Sequence, residues 1–497
     1  MAGLRGLVLA ALAFSLTVSA RTVQCDAAQS SESSSRSGPV ANVRNGTLRG
    51  LNLPFYKQDL FLGVLFAEPP VGGLRFRHPV PYRSRWNASR DATVRSPSCP
   101  GYAGFDIGLS LGEDCLTLDI VRPEGAKNGS ALPVLVWIYG GGFTAGGSAD
   151  SRYNTTYMVQ QSVAIGKPVI VVSINYRVGG FGFLASNEVV AAGVANIGLF
   201  DQRLALRWIR ENIRAFGGAP DAVTIWGESA GGFSVGYHLV GFDGENEGLF
   251  RAAILESGNA LGPATSAVDS PGDLNSTYQP CYDHVVDFVG CGGAFDTLDC
   301  LRKAPFEKLF GAFYSQVYTP ILDDTFLTRL PSESFAKNLV TNVAILAGSN
   351  TDEGTATFFG PRGTLNNDSD VFALLKGMGK GLADETVEDA MRLYPDDPPD
   401  GCPFNTGSER FEEHGFMYKR GAAIVGDAVI HAGRRQHTEF FANRTGSLRK
   451  SVYSYRFDQS PWDNSLTFVA TDSPVSSTHY AEVFHRGLLP DLGMRTD

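Results

Sequence analysis

Apolar residues in this chain gather in two kinds of pattern. Six short blocks carry little polar alternation: Pro133 to Tyr139, Val169 to Asn175, Ala222 to Trp226, Ala252 to Glu256, Val343 to Ala347 and Val452 to Phe457. Each is rich in β-branched or aromatic residues. The lack of a period of two predicts strands covered on both faces. Between the blocks the period lengthens. Leu199, Leu204, Leu206, Ile209, Ile213 and Phe216 form one helical stripe over Gly198 to Phe216, with Asp201 near its start and Gly217-Gly218 ending it. A second helical pattern runs from about Tyr418 to Phe441. This alternation predicts an α/β fold, with a large, mostly parallel sheet and helices on both faces. Residues 260–330 and 355–415 hold fewer strand blocks and read as helical and loop insertions on the same domain.

The N-terminus departs from this pattern. Leu7 to Val18 is a 12-residue apolar run behind Arg5, followed by the small residues of Val18-Ser19-Ala20. It is too short to span a bilayer. Residues 1–20 are therefore expected to be a secretory signal peptide, cut after Ala20. A signal anchor is the alternative, but nothing resembling a stop-transfer segment follows. Residues 21–38 read as a flexible leader, Ser-rich over 27–37, and residues 39–497 as a single domain. No later run reaches about 18 uninterrupted apolar residues, so no stable membrane anchor is expected.

Composition narrows the partners. The chain is 43% hydrophobic and 19% charged, with a net charge of −10. That profile suits a folded protein with a substantial core. It argues against nucleic acid and anionic membrane surfaces. It implies no particular oligomeric state. An exported protein is expected to carry disulfides and glycans. Sequons stand at Asn45, Asn87, Asn128, Asn154, Asn275, Asn367 and Asn443. The seven cysteines are Cys25, Cys99, Cys115, Cys281, Cys291, Cys300 and Cys402, an odd number that leaves one unpaired in an isolated monomer. There is no C-x-x-C and no H-E-x-x-H. No metal or other cofactor is expected.

Candidate chemistry centres on Gly227-Glu228-Ser229-Ala230-Gly231, which reads G-x-S-x-G directly after the Ala222–Trp226 block and before a helix-compatible stretch from Gly232 to Val240. In a chain with 57 glycines, a plain Gly-rich turn also fits those five residues. The strand-turn-helix setting favours a nucleophile elbow, whose sharp turn lifts a serine hydroxyl clear of the backbone. Acyl transfer further needs N–H donors where a carbonyl oxygen becomes negative. Gly140-Gly141-Gly142-Phe143 follows the Pro133–Tyr139 block. Gly141 and Gly142 are assigned as oxyanion donors, with Ala230 N–H as the third. The same loop also fits a dinucleotide fingerprint, Gly140-x-Gly142-x-x-Ala145. That motif must open a helix directly, whereas Gly146-Gly147-Ser148-Ala149-Asp150 is loop chemistry.

A serine nucleophile needs a base and an acid, here in the order Ser, Asp/Glu, His. Downstream histidines are His414, His431, His437, His479 and His485. His431 and His437 fall within the helical pattern and read as solvated or packing residues. His414 sits in a charged loop. His479 follows the Val452–Phe457 block by a loop, where catalytic groups collect, and His485 is its near competitor. For the acid, Val343–Ala347 runs into Gly348-Ser349-Asn350-Thr351-Asp352-Glu353-Gly354. Periodicity does not choose between Asp352 and Glu353.

Taken together with Gly72-Gly73-Leu74-Arg75-Phe76, Glu113-Asp114-Cys115-Leu116 and Asn175-Tyr176-Arg177, these motifs resemble the type-B carboxylesterase/lipase family, the group that includes cholinesterases. The likeness is nearest to secreted esterases of filamentous fungi and spans roughly residues 39–483. It implies an α/β-hydrolase fold. It also implies cleavage of small carboxylic esters through an acyl-enzyme, with Ser229 as nucleophile, Glu353 as acid and His479 as base. It further implies Cys99–Cys115 and Cys291–Cys300 bridges, leaving the pairing of Cys25, Cys281 and Cys402 open. Family lipases that open at interfaces carry a longer loop than the 15 residues between Cys99 and Cys115, which favours soluble esters. The alternatives are an interfacial lipase and a non-enzymatic binding protein on the same fold. Beyond Val483 the family pattern continues for several helices, whereas this chain ends at Asp497, so a truncated C-terminus is expected.

Overall fold

The computed structural model describes residues 38–102, 108–261, 274–314, 316, 318–356, 363–378, 382–459 and 477–483. The expected signal peptide, all of the leader but Gly38, Cys25, His485 and the tail after Val483 lie outside the described residues.

Twelve strands and a series of helices follow one another along the described chain. The strands are β1 (Val40–Val43), β2 (Gly46–Arg49), β3 (Leu51–Leu53), β4 (Gln58–Leu65), β5 (Arg90–Asp91), β6 (Thr117–Pro123), β7 (Leu132–Ile138), β8 (Ile170–Ile174), β9 (Gly218–Glu228), β10 (Ala252–Glu256), β11 (Ala344–Asn350) and β12 (Val452–Phe457). Nine of them form one sheet in the order β12-β11-β10-β9-β7-β8-β6-β4-β3. Neighbours from β12 through β8 run parallel. The β8–β6, β6–β4 and β4–β3 pairs are antiparallel. A small sheet, β1-β2-β5, lies apart from it in the hydrogen-bonding pattern.

The six expected strands all occur, as β7 to β12, but β12 is not covered on both faces: it is the edge strand of the sheet, none of its residues is buried, and Tyr453 is 64% exposed. β8, all five of whose residues are buried, shows the expected cover: Ile170, Val171, Val172 and Ile174 are fully covered, as crossover helices require. The antiparallel strands β4 and β6 escaped the apolar pattern because they bury charge. Asp59 on β4 and Arg122 on β6 meet at 3.0 Å, both nearly inaccessible, and Asp119 on β6 is also buried. A paired charge inside a sheet breaks the run of apolar letters without exposing the strand.

The helices that matter here are α1 (Thr156–Ala164), α2 (Ile197–Asn212), α3 (Ala230–Val240), α4 (Tyr418–Gly426) and α5 (Ala432–Ala442). α2 continues as a 3-10 turn, Ile213–Phe216, and stops at Gly217 with φ 93°. Asp201 does not cap it. It turns inward and is wholly buried, accepting the backbone N–H of Arg177 at 3.0 Å and its guanidinium at 2.8 and 2.6 Å. The second helical pattern is not one α-helix. α4 and α5 are joined by a π-helical segment, Asp427–His431, an inserted widening of the kind that re-aims side chains.

Register carries the consequence for function. Glu228 on β9, Glu256 on β10 and Gly348 on β11 stand side by side. The chain leaving each strand therefore emerges at one edge, the carboxyl end, where open α/β sheets collect their ligand groups. Asp201→Ala is expected to destabilise the fold by about 3–5 kcal/mol, because it strands a buried Arg177 guanidinium. Urea unfolding monitored by tryptophan fluorescence reads this directly.

Candidate active site

β9 ends at Glu228, and Ser229 follows with φ 53° and ψ −124° before α3 begins at Ala230. This is a costly backbone for a residue with a side chain, roughly 1–3 kcal/mol. Packing holds it there. Ser229 N–H donates to Glu256 O at 2.9 Å, and Ser229 O accepts from Phe233 N–H at 2.8 Å as the first bond of the helix. A Cβ on Gly231 would stand 2.0 Å from Ile138 O, and one on Gly227 would stand 2.4 Å from Gly231 C. Both outer glycines of the motif are thus needed for strand, turn and neighbouring strand to pack this closely.

The loop after β7 lies against the same turn. A Cβ on Gly140 would come 2.9 Å from Glu228 Oε2 and 3.0 Å from Ser229 Cβ. Gly141 and Gly142 take φ values of 110° and 63°, which favour glycine. The Gly141 carbonyl is turned into its own loop, where Thr144 N–H, Ala145 N–H and Thr144 Oγ1 each donate to it at 3.1 Å. The loop leads into turns, and the next α-helix, α1, starts only at Thr156. A dinucleotide site needs a helix opening directly from the glycines, so that alternative does not fit this backbone.

Glu353 lies just beyond β11, and His479 follows β12 in sequence. His479 Nδ1 is 2.6 Å from Glu353 Oε2, and both side chains are buried. An ionised carboxylate only accepts, so the proton of this bond sits on Nδ1. The other carboxylate oxygen, Oε1, accepts Ser257 Oγ–H at 2.6 Å and the Asn350 backbone N–H at 2.7 Å. Burial alone would push the Glu353 pKa up. The attraction of His479, its hydrogen bond, the nearby His431 and the Ser257 hydroxyl outweigh it and hold the group below the ordinary carboxylate value. On its other side, His479 Nε2 stands 3.3 Å from Glu228 Oε1. The residue after His479, Tyr480, has φ 76° and turns the chain back sharply.

Of the other histidines, His437 is buried between Gly433 O at 3.0 Å and Ala260 N–H at 3.4 Å, and burial lowers its pKa to about 4. His431, set by the π segment, bonds Ser349 Oγ through Nδ1 at 3.0 Å. Neither is solvated. His414 faces Glu413 at 3.9 Å in a 3-10 turn. Asp352, adjacent to Glu353, points instead to the Phe404 and Ser477 N–H groups. Three members of this cluster escaped the sequence reading: Ser257, Asn350 as a donor, and Glu228. Ser257 had a signal, since it is the first residue beyond β10, as Ser229 is beyond β9.

Disulfides join Cys99 to Cys115 and Cys291 to Cys300. Among the described residues, Cys281 and Cys402 are in no disulfide. Among the described residues, no group of three or more His, Cys, Asp or Glu is arranged to hold a metal, and no helix is long and apolar enough to cross a membrane.

The model of the carboxylesterase family matches residues 37–488. Lipase 4 of Diutina rugosa is 39% identical over 480 residues, covering 89% of this chain and 82% of the lipase. The secreted triacylglycerol lipase LIP1 of Gibberella zeae is 34% identical, covering 91% and 79%. Among solved structures, Aspergillus niger EstA superposes with a TM-score of 0.75 at 28% identity, covering 93% of this chain and 84% of EstA. A PNB esterase gives 0.68 at 28% identity, covering 92% and 86%.

The Glu353 environment yields a pH prediction. A carboxylate held low contributes stability that is complete above its unfolded pKa, about 4.3 for glutamate. That contribution is lost as pH falls through the lower folded value. Ser257→Ala removes a donor and raises the folded value, so its acid-unfolding midpoint should move to higher pH. The near-ultraviolet circular dichroism titration of both proteins checks this.

Proposed function

The chain belongs to the carboxylesterase family, and on that premise we propose that it is a secreted serine esterase working through a Ser229–Glu353–His479 triad. It is a carboxylic ester hydrolase on the α/β-hydrolase fold. The observation that carries the finer reading is the 2.6 Å bond between buried His479 and Glu353, set beside a serine in a strained elbow.

The chemistry follows from the tautomer. With its proton on Nδ1, the imidazole offers an Nε2 lone pair to the Ser229 hydroxyl. Ser229 Oγ attacks the ester carbonyl as its proton passes to Nε2. The carbonyl oxygen turns negative, facing the N–H groups of Gly141, Gly142 and Ala230. The imidazolium formed at that moment has Glu353 at 2.6 Å on one side and Glu228 at 3.3 Å on the other. It then gives the proton to the leaving alcohol. Water repeats the sequence on the acyl-enzyme and releases the acid.

Export is supported by the apolar N-terminal run, the two bridges and the secreted relatives. Glycans fit the exposed sequons Asn87, Asn128, Asn275, Asn367 and Asn443. They fit Asn154 less directly, since its Oδ1 caps Thr156 at 3.1 Å, and they fit Asn45 worst. The Asn45 amide nitrogen, the atom a glycan would take, donates to Tyr82 O and Ser84 O at 3.1 Å. The substrate proposed is a small soluble ester, reached past a short loop closed by Cys99–Cys115. The relatives named as lipases favour a second reading, a lipid–water interface enzyme. Rates on a long-chain ester below and above its solubility limit separate the two, because an interfacial enzyme accelerates where the emulsion forms.

A fluorophosphonate probe should label the secreted protein at Ser229. Ser229→Ala should abolish labelling and lower kcat on p-nitrophenyl acetate by on the order of 10⁴-fold or more. Folded protein that takes no label, or an alanine variant that keeps its activity, contradicts the proposal.

A further inference from the structure

The acid loop holds a second buried carboxylate that acyl transfer does not use. Asp352 is 3% exposed. Its Oδ2 accepts the Ser477 backbone N–H at 3.0 Å, and its own N–H donates to Ser477 O at 3.0 Å. Its Oδ1 accepts the Phe404 N–H at 2.9 Å and lies 3.6 Å from Cys402 Sγ. The side chain therefore ties three separate pieces of chain together: the turn after β11, the 402–404 loop, and the segment that enters His479.

Neighbouring bonds reach the same segment. Asn350 Nδ2 donates to Thr478 O at 2.7 Å, and Thr355 Oγ1 bonds Thr478 Oγ1 at 2.9 Å. Asp352 and Thr478 pair as a short parallel bridge. Every one of these links lands on the two residues preceding His479. The position of the imidazole is set by that peptide segment, and Asp352 supplies its one anionic anchor among the described contacts.

We infer that Asp352 is a positioning residue of the esterase reaction, fixing the backbone that carries His479 so that the imidazole meets Glu353 and Ser229 in a single geometry. The inference rests on the triad reading above. Misplacement of a catalytic group by about 1 Å costs on the order of 10²-fold in rate. Asp352→Ala leaves two N–H groups without their acceptor. Asp352→Asn satisfies only one of them, because its amide nitrogen is itself a donor.

The experiment measures kcat and KM per active site, with sites counted by fluorophosphonate titration of the folded, monodisperse fraction. Asp352→Ala should lower kcat about 100-fold with KM changed less than about three-fold. Asp352→Asn should fall between it and the parent. The rate of fluorophosphonate labelling should fall with kcat. In a Glu353→Gln background the same alanine substitution should cost far less, because both changes act through His479. A merely structural contact lowers the melting temperature but leaves kcat per titrated site unchanged, and a residue that acts independently of His479 costs the same factor in the Glu353→Gln background as in the parent. Either result overturns the inference. Should Asp352→Ala not accumulate as folded protein, Asp352→Asn and Ser477→Pro test the same bond, the latter by removing its donor, under the same criteria. A failure of the triad reading looks different: Ser229→Ala would keep its label and its activity whatever Asp352 does.

Discussion

A negative charge buried out of water organises this molecule. Glu353 is fully covered, and an uncompensated carboxylate there would cost several kcal/mol. It is met by donors from three places: Ser257 beyond β10, the Asn350 backbone in β11, and His479 after β12. Those pieces are adjacent only because the sheet places β10, β11 and β12 side by side. The strand order and the charged site are therefore one constraint. The sheet brings the donors together, and the donors allow the carboxylate to remain ionised.

The same edge of the sheet holds the strained serine. Ser229 follows β9, two strands from β11, locked by Glu256 O and by glycines that leave no room for a Cβ. Glu228 belongs both to this turn and to the histidine, 3.3 Å from Nε2. The proposed triad is thus gripped from both sides. β9 and its turn hold Ser229, while the turn after β11 holds Glu353 and, through Asp352, bonds the segment that precedes His479.

Much of this was legible in the chain itself. The inner parallel strands announced themselves because strands covered on both faces are largely apolar, whereas the edge strand β12 was found by its β-branched and aromatic residues although none of them is buried. β4 and β6 were not found, because Asp59, Asp119 and Arg122 are buried in pairs that look solvent-facing in a one-dimensional pattern. The choice between Asp352 and Glu353 was invisible to periodicity, since both lie in a turn where no period applies. Contacts separate them: Glu353 meets the imidazole, and Asp352 meets the backbone beside it. Likewise Tyr418 to Phe441 reads as one helix because the π segment is itself helical and its residues are helix-compatible. The inserted residue shows only in the hydrogen bonds.

The central claim is that an ionised Glu353 holds the Nδ1 proton of His479. Proton nuclear magnetic resonance of the intact enzyme in light water observes that proton directly. The account predicts a single far-downfield resonance, protected from exchange, present in the parent and in Ser229→Ala, and absent or shifted strongly upfield in Glu353→Gln. A downfield region empty in the parent, or a resonance unmoved by Glu353→Gln, would contradict it.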